Sequence, residues 1–145
     1  MEYKNTLGLM YIIWSEIAVP TSSRVQLVDV TARVAEELSR SRVKSGVCYL
    51  YVPHTTAAVT INENADPDVV TDIINGLEKL VPLRGNYRHA EGNSDAHIKA
   101  SLVGFSGIVP VIDGKLALGT WQGIYFCEFD GPRRRKMLVG IAGDK

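Results

Sequence analysis

The chain of 145 residues fits one domain and can bury roughly 70% of its unfolded surface, so a core needs no disulfide or metal staple. Its 46% hydrophobic and 22% charged composition excludes a disordered tail, a collagen-like chain and a coiled coil. Sixteen basic residues balance sixteen acidic ones, which removes the broad electrostatic footprint of a nucleic-acid or anionic-membrane binder. The balance is uneven: residues 1–72 carry a net −3 and residues 73–145 a net +3, largely through Arg133-Arg134-Arg135-Lys136.

In chain order, the first apolar stretch, Leu7–Val19, is broken by Ser15 and Glu16 and is shorter than the roughly 20 apolar residues of a membrane-spanning helix. It lacks a basic leader and a cleavage site, so a strand over Met10–Val19 is expected, then an extended Val25–Asp29. Thr31 can cap a helix to about Arg42 that buries Val34, Ala35 and Leu38. Val47–Pro53 is β-rich and continues through Ala57–Ile61. Asp66 as N-cap, Pro67 at the first helical position and Asp68 in the first turn open a second helix. Its apolar stripe is Val69, Val70, Ile73, Ile74, Leu77 and Leu80.

Ser94 can cap a short third helix through about Val103. Gly107–Ile112 and Lys115–Leu118 read as strands joined by Asp113-Gly114, a pair suited to a tight I′ turn. Ile124–Phe129 and Arg135–Ile141 complete the strands. The sum is an α+β fold: one compact domain over 1–145 with a mostly antiparallel sheet and about three helices. Cys48 and Cys127 lie in strands, outside any CxxC pair. They are expected as buried free thiols, which favours a cytoplasmic location.

Polar residues collect at element ends, where sites are usually built. All three histidines fall in such clusters: His54 after a strand, His89 in a loop and His97 in a first helical turn. Three imidazoles with an open position would hold a divalent metal, zinc foremost, with Glu91, Asp95 or Glu128 as orienting group or base. His89-x7-His97 is not a metal motif, so structural histidines and a metal-free acid/base site stay open beside that reading. If Arg133 opens the last strand, Arg133 and Arg135 share the core face with Met137, Val139 and Ile141. Two such arginines suit a phosphate or carboxylate, the alternative being a solvated strand end paired with Glu128 or Asp130. No phosphate loop, dinucleotide fingerprint or nucleophile elbow is present, so no nucleotide cofactor is expected.

Three strings carry a resemblance: PHTTAAVTINENADPDV (Pro53 to Val69), HAEGNSDAHIKASLVG (His89 to Gly104) and LGTWQGIYFCEFDGPRRR (Leu118 to Arg135). Together they resemble the YjbQ-like family, often labelled secondary thiamine-phosphate synthase. The resemblance implies a homotrimer of compact α+β domains and a cleft that gathers the polar clusters. It also implies a weak thiamine-phosphate synthase activity, in which a thiazole phosphate displaces diphosphate from a pyrimidine. The expected site comprises His54, Glu91, Asp95 and Glu128 as catalytic groups, with His54, His89 and His97 on a metal. Thr55, Thr56, Asn93, Trp121, Gln122, Arg133 and Arg135 are expected to hold a small phosphorylated or anionic metabolite. The competing expectations are a metal-assisted hydrolase, a non-catalytic metabolite or metal binder, and a subunit interface built from the same clusters.

Overall fold

The computed structural model describes residues 2–4 and 11–145. In chain order the elements are β1 (Glu2–Lys4), β2 (Tyr11–Pro20), β3 (Gln26–Asp29), α1 (Thr31–Ser41), β4 (Ser45–Tyr51), β5 (Ala57–Glu63), α2 (Pro67–Leu80), α3 (Ser94–Val103), β6 (Ser106–Ile112), β7 (Lys115–Leu116), β8 (Gln122–Glu128) and β9 (Arg134–Asp144). The strands form two sheets, of order β1-β2-β9-β4-β6-β7 and β3-β8-β5, and every pairing in them is antiparallel. The α+β expectation therefore holds, with two sheets in place of one.

Alternation along the strands dictates how the sheets stack. Met137, Val139 and Ile141 of β9, Cys48 and Leu50 of β4, and Val109 and Val111 of β6 point inward, all 2% exposed or less. They meet Ala57 and Val59 of β5 and Ile124 and Phe126 of β8, with Val34 and Leu38 of α1 in the same cluster. The other face of β8, Tyr125 and Cys127, packs with Ala96 and Ala100 of α3 and with Val70 and Leu77 of α2. The result is three layers, large sheet, small sheet and the α2–α3 pair, with α1 packed against the core between the sheets. On the outer face of the large sheet Ile108, Ile112 and Tyr51 stay exposed. There Trp14 stacks toward Tyr49 across Gly140, where any side chain would collide with the Trp14 ring.

Local signals act much as expected. Asp66 accepts from the Asp68 N–H and Pro67 opens α2. Asp113 and Gly114 both have positive φ, 52° and 75°, as the β6–β7 turn requires. Other details differ. Thr31 does not cap α1; Asp29 Oδ1 accepts from the Thr31 N–H and hydroxyl, and the Thr31 hydroxyl oxygen in turn accepts from the Ile124 N–H at 2.8 Å. Asn93, not Ser94, occupies the N-cap position of α3. No α2 residue is fully buried, because the helix lies on the outside of the small sheet and Leu80 is left 73% exposed. The stretch from Val47 to Ile61 is broken, since β4 and β5 belong to different sheets. Met10 of the first expected strand lies outside the described residues, and the rest of it forms β2. Cys48 and Cys127 are buried and free. No helix among the described residues is long and apolar enough to cross a membrane.

Candidate functional site

Three connections cross between the sheets at one end of the molecule. β2 ends opposite Arg134 and β3 begins opposite Glu128; β4 ends at Tyr51 and β5 begins opposite Glu128; β8 ends at Glu128 and β9 begins at Arg134. Each connection therefore delivers its residues to the same place: Thr21 and Arg24, Pro53 to Thr56, and Phe129 to Arg133. The first turn of α3 and the loop before it close the side. Between them lies a cleft of about 390 Å³ that collects His54, Thr55, Thr56, Glu91, Asn93, His97, Asp130, Arg133 and Arg135. Eight of the expected site residues thus meet here.

Arg135 is the centre of the cleft floor. It is 7% exposed and on the core face of β9, in the phase read from the sequence. Its Nε donates to Glu128 Oε1 at 2.9 Å, and its Nη2 donates to Glu128 Oε2 at 2.6 Å and to the Thr56 hydroxyl at 2.7 Å. Among the described residues none of its hydrogen bonds uses Nη1. Glu128 is fully buried and also accepts from the Thr21 hydroxyl and from the N–H groups of Phe129 and Asp130. Burial alone would raise its pKa, but the hydrogen bonds of Arg135 and Thr21 outweigh that and hold it below the ordinary carboxylate range. Gly131 is required beside it: a Cβ there would run into the Ser23 carbonyl and the Glu128 carboxylate.

Arg133 lies outside β9 with its side chain 54% exposed, held at the rim by Asp130 through Nη2 at 2.9 Å. Asp130 also accepts from the Asn93 amide at 2.9 Å, tying the rim to the start of α3. His54 sits where β4 leaves the large sheet, and its Nε2 accepts the Lys136 N–H of β9 at 3.0 Å. Its ring thus replaces the next strand residue as partner of β9. Burial, then the Arg135 charge, lower its pKa, so at neutral pH the ring is neutral with its proton on Nδ1.

Asp95 faces away from the cleft. It is fully buried, clamped by both Arg24 guanidinium nitrogens at 2.9 and 3.2 Å and by Lys99 at 2.9 Å; Lys99 also reaches Glu78 of α2 at 2.6 Å. Burial pushes the Asp95 pKa up, and the bonds to Arg24 and Lys99 more than reverse it. Thr21 and Arg24 carry no local sequence signal for these contacts, and Lys99 only its spacing of one helical turn from Asp95.

The metal centre is a correction. Among the described residues no group of three His, Cys, Asp or Glu side chains converges on a point that could hold an ion. His54 Nε2 is engaged by the Lys136 amide, while Glu128 and Asp95 are engaged by arginines. His89 and His97 pack edge to face, 5.6 Å between ring centroids, with Glu91 3.6 Å from His89. The expected divalent-metal cofactor on His54, His89 and His97, zinc included, therefore finds no donor set here. His89 lines a neighbouring compartment instead. Trp121 and Gln122 do not reach the cleft of this chain: β8 carries them to its far end, roughly 20 Å from Glu128. There Gln122 accepts from the Gly119 N–H and Trp121 is 62% exposed.

A family model described as UPF0047 protein YjbQ-like matches residues 15–144. The chain belongs to this family. UPF0047 protein MJ1081 of Methanocaldococcus jannaschii is 58% identical over 127 residues, covering 88% of this chain and 92% of that protein. UPF0047 protein YugU of Bacillus subtilis is 47% identical over 128 residues, covering 88% and 97%. A crystal structure of a YbjQ-like protein of unknown function from Sulfolobus solfataricus superposes with a TM-score of 0.90 at 34% identity, covering 93% and 99%. One from Clostridium acetobutylicum, of the yjbq/upf0047 family, gives 0.86 at 54%, covering 88% and 98%. The YjbQ-like match spans the whole cleft, from the Thr21 connection to Arg135.

Proposed function

We propose that the cleft binds a small phosphorylated metabolite and that the protein is an enzyme acting on it. The observation that carries this reading is Arg135: a buried guanidinium held rigid on two nitrogens, its third nitrogen unused, on the floor of a cleft whose rim carries Arg133. A fixed guanidinium edge suits a phosphate oxygen, and Thr55, Thr56 and Asn93 supply neutral polar contacts beside it. His54, neutral with a proton on Nδ1, is suited to donate a hydrogen bond to an oxygen that gains charge during reaction. Glu91, at the rim and not held by an arginine or lysine, is the carboxylate available for proton transfer. Glu128 and Asp95 act on the reaction as positioning residues, through Arg135 and through the start of α3.

Transfer chemistry of the thiamine-phosphate synthase kind would seat the departing diphosphate on Arg135 and Arg133. The test is a turnover panel of phosphate esters, singly and as the paired pyrimidine diphosphate and thiazole phosphate. Turnover lost in Glu91→Gln with ligand affinity kept supports the enzyme. Affinity without turnover in the wild type supports a second reading, a metabolite-binding protein, which the engagement of Glu128 and Asp95 favours. We assign the uncovered outer face around Tyr51, Ile108 and Ile112 to self-association as a homotrimer in the cytoplasm; sedimentation of Ile108→Lys, expected to be monomeric, tests it.

A further inference from the structure

Beside the anion cleft lies a larger compartment of about 620 Å³, within the size range of small-molecule sites. Tyr87, His89, His97 and Ile98 form its walls together with the polar Asn86, Arg88 and Ser94, and His97 lines the cleft as well, so the two spaces share a side. The His89 and His97 rings brace each other edge to face. α3 supplies an apolar part of this surface. Ala96 and Ala100 face the small sheet, so the opposite face of a surface helix would ordinarily be polar. Yet one turn apart on the outer side stand Ile98, 40% exposed, and Leu102, 60% exposed. The apolar surface therefore starts at the phosphate cleft and runs a further helical turn along α3.

We infer that this compartment and the Ile98–Leu102 strip seat the hydrocarbon part of the cleft's ligand, which makes that ligand a soluble alkyl phosphate monoester and not a sugar phosphate or inorganic phosphate. The inference rests on the phosphate reading of the cleft. The phosphate lies on Arg135 and Arg133, the ester oxygen passes His97, and the alkyl chain lies over Ile98 toward Leu102. The occupant is elongated because the strip is, and it is tied to the cleft because the two spaces share His97.

Calorimetric titration of the full chain with inorganic, methyl, butyl and hexyl phosphate tests this, alongside glycerol phosphate. Affinity is expected to rise with chain length by up to about fourfold per buried methylene, with glycerol phosphate no better than methyl phosphate. In Ile98→Asp, a substitution at a part-exposed position whose folding circular dichroism checks, the hexyl-to-methyl ratio is expected to fall close to one. Tyr87→Ala lowers the same ratio in part. Equal affinity across the alkyl series, or a ratio untouched by Ile98→Asp, overturns the inference while leaving the cleft reading in place. Failure of every phosphate to bind in an Arg135-dependent way overturns both. Loss of self-association in Ile98→Asp with an unchanged ratio gives the strip to a second copy and also overturns it, as does binding to phosphatidic acid vesicles without binding to soluble hexyl phosphate.

Discussion

Two buried carboxylate networks lie close together in this fold and end differently. Around Asp95, Arg24, Lys99 and Glu78 close on one another: Asp95 and Lys99 are wholly buried and the charges satisfy each other between α2, α3 and the β2–β3 connection. Around Glu128, Thr21, Arg135 and two backbone N–H groups close on the carboxylate, and the arginine, whose Nη1 makes no hydrogen bond among the described residues, also lines the cleft. The same residue chemistry thus makes a staple in one place and a presenting surface in the other. What differs is position: Arg135 lines the cleft, whereas Arg24, Asp95 and Lys99 do not.

The largest effects should come from opening either network. Glu128→Ala leaves Arg135 buried without its anion and is expected to cost about 3–5 kcal/mol by urea denaturation, with phosphate binding lost. Lys99→Met is expected to cost less, about 2–3 kcal/mol, because Asp95 keeps Arg24, and to leave the cleft's phosphate affinity within about twofold. A Lys99 variant that abolished phosphate binding would erase the distinction between the networks. Gly131→Ala should destabilise by at least about 1–3 kcal/mol, as its methyl group presses on the Ser23 carbonyl and the Glu128 carboxylate.

Acid should open both networks together. Asp95 and Glu128 are held below their ordinary pKa values, so their contribution is present above about pH 4 and is lost as the pH falls through their folded values. His54 adds to the same slope earlier. Its folded value lies below the ordinary one, so stability begins to fall once the unfolded imidazole protonates below about pH 6.5. Thermal melts from pH 7 to pH 3 check the sign; a melting temperature that rose on acidification would contradict it. The smallest effect is chemical: burial pushes the Cys48 and Cys127 thiols up to about 12, so neither should react with a thiol reagent at pH 8 without denaturant.

Local chemistry made several of these features legible in the sequence. Strand alternation placed Arg135 on the core face, Asp66-Pro67 opened α2 and Asp113-Gly114 turned the β6–β7 hairpin, each governed by residues within a few positions. The split into two sheets was not legible, because Val47 to Ile61 is apolar on both sides of the break at Pro53. Nor was the fate of the carboxylates, since Asp95 meets Arg24 across 71 positions and Glu128 meets Thr21 across 107. Nothing near those residues marks their partners. The three histidines suggested a metal by type and number, yet His54 serves the Lys136 amide and His89 leans on His97. Trp121 and Gln122 share a motif with Glu128 but lie at the other end of the same strand, a separation that contiguous sequence hides.

The measurement closest to the central claim is a crystal structure of the protein soaked with tungstate, a heavy stand-in for phosphate, read by anomalous scattering. The expected result is a peak within hydrogen-bond distance of Arg135 Nη1 with Arg133 turned toward it, absent in Arg135→Met crystals. A cleft that stays empty while tungstate binds elsewhere on the protein would contradict the account.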